Sequence, residues 1–224
     1  MAAALPPPGE PDPDVADAPA RVEVPDPVAR ARSMVGRGTY WLGAGDYRPT
    51  DGRDEPWTLR DGVLGCDCSG FAAWCHRISR ERRGYNAGGS VSGWVNTDTL
   101  IEDAYGVVDQ KTGRLRRAAR LELVEPADYP APGTLIVYGA VRDDQGKRVK
   151  IGHVGVVESC SVPYAEWGTR GTVDWRAVTV IQCRGPQRAR PAVVRSSGAA
   201  WEKHDEQWGR GARPWRATRL VRVR

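Results

Sequence analysis

One phenylalanine, two methionines and three histidines in 224 residues leave this chain few of the usual core fillers and few candidate bases. No run of apolar residues approaches the roughly 20 needed to cross a bilayer, so no membrane span is expected and the protein reads as soluble. The first 20 or so residues lack the basic and then apolar order of a secretory signal, carrying Pro6, Pro7, Pro8, Glu10, Asp12 and Asp14 instead. The expectation is synthesis in the cytoplasm without Sec export. The cysteines number five, and Cys66 and Cys68 stand too close to pair comfortably, so no disulfide framework emerges. A Cys-x-Cys with scattered histidines also lacks the spacing of a structural zinc site, and neither a metal nor another cofactor is expected. The densest basic run, Arg114, Arg116, Arg117 and Arg120, has no aromatics between its charges. It reads as the solvated face of a polar helical segment and not as a nucleic-acid footprint. No internal repeat is visible.

The length suits one well-filled domain with extras. Residues 1–25 form a Pro- and Asp-rich stretch that cannot bury enough apolar surface to offset its ordering entropy, and are expected to be a disordered tail. Residues 26–224 are expected to form a single domain, and a monomer. Six acids and one arginine fall within residues 1–27, so the remainder carries +10 against +5 for the whole chain. A basic body suits an anionic partner, and the polymers of a cell envelope are among the candidates.

Asp26-Pro27 ahead of Val28, Ala31, Met34 and Val35 predicts a short amphipathic helix, with Asp26 as N-cap, Pro27 at N1 and Gly36 near its end. Glycines flank Tyr40 and Trp41, which predicts a turn bringing these rings against other backbone. Residues 46–64 read as a long surface loop. A buried helix is predicted from Cys68 to near Arg80 or Gly84. After a glycine- and serine-rich loop around 88–92, a further helix over 95–105 is capped by Asn96 or Thr97. From Pro130 the period becomes strand-like: strands are predicted over 134–138, 151–158, 177–183 and 218–223, with a charged loop at 140–150. Helices followed by strands define an α+β domain in which the Cys68 helix packs on a C-terminal antiparallel sheet.

Cys68 opens a helix whose unpaired first-turn N–H groups carry partial positive charge, a setting that favours the thiolate and so suits a nucleophile. His153 lies on a strand of small and β-branched residues that can aim a ring rigidly. Taken alone, it is more often a core histidine than a catalyst. With a helix-start cysteine upstream, a Cys–His pair is the minimum needed to make a thiolate and to protonate a leaving amine. Gln182, in phase with Val178 and Val180, could accept from the far N–H of the imidazole, or could be only a polar residue of the sheet. Cys75, two turns deeper on the helix, reads as core, and His76 as surface or helix-end. Trp41 or Trp94 is the tryptophan expected to line a cleft.

The blocks Asp67-Cys68-Ser69-Gly70-Phe71, Pro132-Gly133-Thr134-Leu135-Ile136-Val137-Tyr138 and Gly152-His153-Val154-Gly155-Val156-Val157, in that order, resemble the NlpC/P60 family of papain-like cysteine peptidases. The resemblance covers roughly residues 28–185. It implies a papain-like fold with Cys68 as nucleophile, His153 as general base and then acid, and Gln182 in the place of the third polar residue. Tyr40 matches an aromatic that borders the site. Asp67 and Ser69 match positions that hold the free amine of a peptide stem. The chain departs from the family pattern in its longer 45–66 loop, its long 159–175 loop and the lack of flanking wall-binding repeats. In permuted relatives, which include lipid acyltransferases, the histidine block comes first, so the order here favours a hydrolase.

The activity this resemblance implies is cleavage of peptidoglycan stem peptides, at the γ-D-glutamyl bond to the diamino acid. The alternatives are an N-acetylmuramoyl-L-alanine amidase, an amidase toxin or effector, and a non-catalytic envelope-binding module. Without a Sec signal, such a protein reaches a wall after lysis, as an endolysin does, or by non-Sec export.

Overall fold

The computed structural model describes residues 26–48, 54–80, 95–105, 107–108, 115–117, 121–124, 130–145, 147–163, 166, 174–201 and 219–223. The expected N-terminal tail, the 88–92 loop, Trp94 and His204 lie outside them.

The first helix, α1 (Pro27–Ser33), begins where the sequence places it: the Asp26 carboxylate accepts from Val28 N–H, and Pro27 occupies the first turn. Its arginine Arg30 is buried, donates from Nε to the Trp74 carbonyl at 3.2 Å and lies 4.0 Å over the Trp74 ring. The guanidinium thereby caps a neighbouring helix end and stacks on an aromatic at once.

That neighbour, α2 (Cys68–Cys75), is buried along its whole length, which is why its sequence shows no polar stripe. It stops at Cys75, five to nine residues short of the predicted boundary at Arg80 to Gly84. Arg77 adopts a left-handed conformation (φ 54°), with Ile78 N–H bonded to Ala73 O and Arg77 N–H to Trp74 O. This is a Schellman end, in which the residue after the turn folds its apolar side chain back on the helix. Ile78 is therefore buried because the chain reverses, whereas its spacing reads as one more helical turn.

The third helix, α3 (Thr97–Tyr105), is capped by Asn96, whose Oδ1 accepts from Thr99 N–H at 3.0 Å. Between α1 and α2 the segment expected to be a loop contains a hairpin, β1 (Thr58–Arg60) with β2 (Val63–Gly65). Its turn, Asp61-Gly62, has φ 49° and 75°, the Asp-Gly signature of a tight hairpin. The sequence reading overlooked it because its strands are short and mostly exposed. The basic 114–120 run was expected to be helical. Its central residues form β4 (Leu115–Arg117), paired with β3 (Val107–Val108).

The main sheet has six strands: β5 (Leu121–Leu123), β6 (Leu135–Tyr138), β9 (His153–Cys160), β10 (Val178–Cys183), β11 (Val193–Ser197) and β12 (Arg219–Val223). They lie in the order β11-β10-β9-β6-β12-β5, and every pairing is antiparallel. The four predicted strands are here, with β5 and β11 in addition. The predicted charged loop at 140–150 folds back on itself as β7 (Val141–Arg142) and β8 (Arg148–Lys150).

Helix α2 packs on one face of this sheet. Leu135, Val137, Val154, Val156, Ile181 and Cys183 meet it there, alternating along their strands as period-two side chains must. The other face carries Ile136, Val157, Val178, Val180 and Leu220, covered by Trp175 and Trp201. The protein is thus α+β with an antiparallel sheet, and no helix among the described residues is long and apolar enough to cross a membrane.

His76 caps the C-terminal end of α2, where a cation would be favoured, yet burial holds its pKa down at about 4. Its Nε2 is buried with no hydrogen-bond partner among the described residues. The unfolded chain takes up the proton first as pH falls, so this histidine adds stability that is full above pH 6.5 and is lost between about 6.5 and 4. The span corresponds to roughly 3 kcal/mol at most. Urea unfolding of the wild type and His76→Gln at pH 7 and 4.5 should show a markedly smaller acid loss in the variant.

Candidate active site

The site grows from the loop that enters α2. Asp67, its N-cap, accepts on Oδ1 from Gly70 N–H (2.7 Å) and Ser69 Oγ–H (3.0 Å), and on Oδ2 from Gly43 N–H (2.7 Å). Arg80 completes the shell, donating from Nη1 to Asp67 Oδ1 at 2.9 Å and from Nη2 to Ser69 Oγ at 3.0 Å. The same guanidinium reaches the carbonyls of Ala44, Gly45 and Val95, so one side chain ties three segments to the mouth of the helix. Asp67 and Arg80 are 3 % and 1 % exposed. A Cβ on Gly70 would come within 2.5 Å of the Ala44 carbonyl and 2.6 Å of Arg80 Nη1, so only glycine fits after Cys68-Ser69.

Asp67 and Ser69 are thus engaged internally, with Arg80 balancing the carboxylate charge. A substrate amine at this point would have to displace one of these donors. Arg80 is one residue of the candidate site that sequence reasoning missed. The only signal available was an arginine near the predicted helix end, indistinguishable there from a solvated cation.

Cys68 is 3 % exposed, and its sulfur lies beside the backbone of Val154 at the start of β9. Burial, followed by the charge of Asp67, pushes its pKa up, and the Val154 contact and Arg80 only partly oppose this. In this closed site desolvation outweighs the helix-start field that was expected to favour the thiolate, so the resting sulfur is a thiol. All five cysteines are free. Cys183 donates to the Cys66 carbonyl at 3.2 Å behind the site, and Cys75 lies in the core as expected.

His153, the first residue of β9, places Nε2 2.6 Å from Gln182 Oε1 on the adjacent β10. Gln182 is buried and its amide N–H donates onward to Ser196 Oγ on β11. With its nitrogen committed to Ser196, the amide turns its oxygen to the ring. An amide oxygen only accepts, so the imidazole Nε2 carries the proton and Nδ1 keeps the lone pair of the neutral ring. Trp201 stacks on the imidazole (centroids 5.1 Å, 19°) and packs edge-on against Tyr138. The sequence reading overlooked Ser196 and Trp201, and of its expected tryptophans Trp41 is buried beneath Arg188.

The structure therefore brings His153 and Gln182 into direct contact and sets Cys68 against the residue that follows His153. The thiol comes from the α2 side of the sheet and the imidazole from the Trp201 side, so the two lie on opposite faces near the start of β9. A cleft of about 310 Å³ opens there, lined in part by Tyr40, Tyr138, His153, Gln182, Arg184 and Trp201, with Cys68 outside its lining. Tyr40 is held in place by a bridge to Cys66. The Tyr138 phenol is pushed up to about 12, by burial first and the Cys68 sulfur second, so it serves as a hydrogen-bonding group and not as an anion. Among the described residues no group of three His, Cys, Asp or Glu side chains is placed to hold a metal ion.

These features define an α+β protein with a His–Gln pair at the end of one strand and a helix-start cysteine beside it. No protein-family model matches the chain, and a search of curated proteins finds no match.

Removing Arg80 leaves the Asp67 carboxylate buried beside Ser69 with no cation, the kind of loss that costs about 3–5 kcal/mol. Arg80→Ala should therefore lower the urea midpoint strongly, whereas Arg60→Ala, on the exposed hairpin, should shift it little.

Proposed function

We propose that this chain is a cysteine amidohydrolase of the NlpC/P60 type that cleaves a peptidoglycan stem peptide at the γ-D-glutamyl bond to the diamino acid. The observation that carries the reading is the 2.6 Å contact of His153 Nε2 with Gln182 Oε1, at the strand end that the Cys68 thiol also touches. A ring oriented through Nε2 uses its other nitrogen, Nδ1, to take the sulfur's proton, the division of labour a Cys–His catalyst requires.

In this mechanism Cys68 gives its proton to His153 as the sulfur attacks the scissile carbonyl. Because the resting sulfur is a thiol, proton transfer and attack are coupled. The carbonyl oxygen becomes an oxyanion, stabilised by the N–H groups of Cys68 and Ser69 at the start of α2, the Gly70 N–H being held by Asp67. His153 then protonates the leaving amine and a thioester remains on Cys68. Water, losing its proton to His153, attacks the thioester and releases the acid and the thiol. Gln182 holds the ring, and Trp201 excludes water from the His153–Gln182 bond.

Purified muropeptides incubated with the wild type and Cys68→Ala, with products read by mass spectrometry, test the assignment. The wild type should release fragments ending in D-glutamate, and the variant should lose at least 1,000-fold in rate. Equal product from both would end the proposal, and fragments lacking the lactyl–alanine amide would move it to an amidase.

A second reading, a non-catalytic envelope-binding module, is favoured by the burial of Cys68 and its place outside the cleft lining. Alkylation separates the two. With iodoacetamide at pH 8, a catalytic Cys68 should be modified at least tenfold faster than Cys75, which is 1 % exposed in the core. Equal rates would favour the binding module.

A further inference from the structure

Among the described residues, the cleft beside His153 carries a permanent charge of one sign. Ten described residues line it, and they include one guanidinium, that of Arg184, and no carboxylate. Arg184 is exposed, follows Gln182 by two residues, and its guanidinium has no hydrogen-bond or ion-pair partner among the described residues.

The backbone that carries Arg184 is held firmly. Its own N–H bonds to Ala192 O (2.8 Å), Arg188 N–H to Tyr40 O (2.8 Å), and Ala189 O accepts from Tyr40 N–H (3.0 Å). Gln187 Oε1 accepts from Leu42 N–H, and Arg190 donates to Thr39 Oγ1. Arg188 is taken up by the Trp41 ring at 5.1 Å, which leaves Arg184 as the cation turned to the cleft. The nearby acid that could have attracted a cationic ligand, Asp67, is buried and balanced by Arg80.

From this arrangement we infer that Arg184 is a specificity residue that binds a free carboxylate of the substrate next to the scissile amide. The inference rests on the reading of this cleft as the substrate site. A planar guanidinium on a fixed loop matches a carboxylate with two parallel N–H···O bonds, and a neutral carboxamide in its place leaves one guanidinium N–H facing another N–H donor. The ligand class is thus an acyl donor with an anionic group beside the carbonyl, such as a γ-linked glutamyl residue with its α-carboxylate free.

Binding tests this without any need for turnover, so its failure can be told from failure of the catalytic assignment. The probes are N-acetyl-γ-D-glutamyl-alanine amide with a free α-carboxylate, and the same compound with that group as carboxamide. Titrated into Cys68→Ala protein and followed by calorimetry, the carboxylate should bind at least tenfold more tightly. Adding Arg184→Gln should abolish the difference by weakening only the carboxylate probe, and Arg184→Lys should restore part of it. Circular dichroism of each variant verifies the fold. Equal affinity for the two probes, a preference that survives Arg184→Gln, or no binding of either probe would overturn the inference.

Discussion

The buried Asp67–Arg80 ion pair is the contact on which the site's geometry depends. Asp67 alone would be a conventional N-cap, worth about 1 kcal/mol. With Arg80 against it, the same carboxylate gathers the 43–45 turn, the start of α2 and the segment entering α3 around one charge pair. Two ions taken out of water recover their desolvation only when nearly every donor and acceptor is used, and here Arg80 spreads its hydrogen bonds over five residues. The consequence is positional: the first residue of α2 is held against the first residues of β9, where the thiol meets Val154.

A second chain of contacts does the same for the imidazole. Ser196 orients Gln182, Gln182 orients His153, and Trp201 closes over the ring. Each link comes from a different strand or from the segment after β11, so the ring is set by the register of β9, β10 and β11 together. Gly155 makes the closure possible, since a Cβ there would come within 2.5 Å of Val180 and 3.2 Å of the Trp201 ring. The two chains also keep charge apart: the carboxylate is neutralised inside, and the cleft is left with a guanidinium on its wall.

Much of this was legible from local chemistry. Asp26-Pro27 marked α1, Asn96 or Thr97 marked the start of α3, and β-branched alternation marked β6, β9 and β10. The phase of Gln182 with Val178 and Val180 placed it correctly on their face of the sheet, which in the structure is the one that Trp201 covers. The end of α2 was misread because Ile78 keeps helical spacing while a left-handed Arg77 turns the chain around. The β1–β2 hairpin and β11 were missed because short, half-exposed strands lack a continuous apolar signature.

By itself the sequence determined the elements whose signals are short-range: caps, prolines, strand periodicity and the presence of a cysteine at a helix start and a histidine on a strand. These depend on residues within a few positions of one another. Only the tertiary structure decided the state of those groups. Cys68 is a thiol and not a thiolate because burial outweighs the helix-start field, Asp67 is paired and not free because Arg80 folds back over 13 residues to meet it, and Trp201 covers His153 from 48 residues away. Desolvation and ion pairing are set by which groups the fold brings within a few ångströms, and no local pattern in the chain records that.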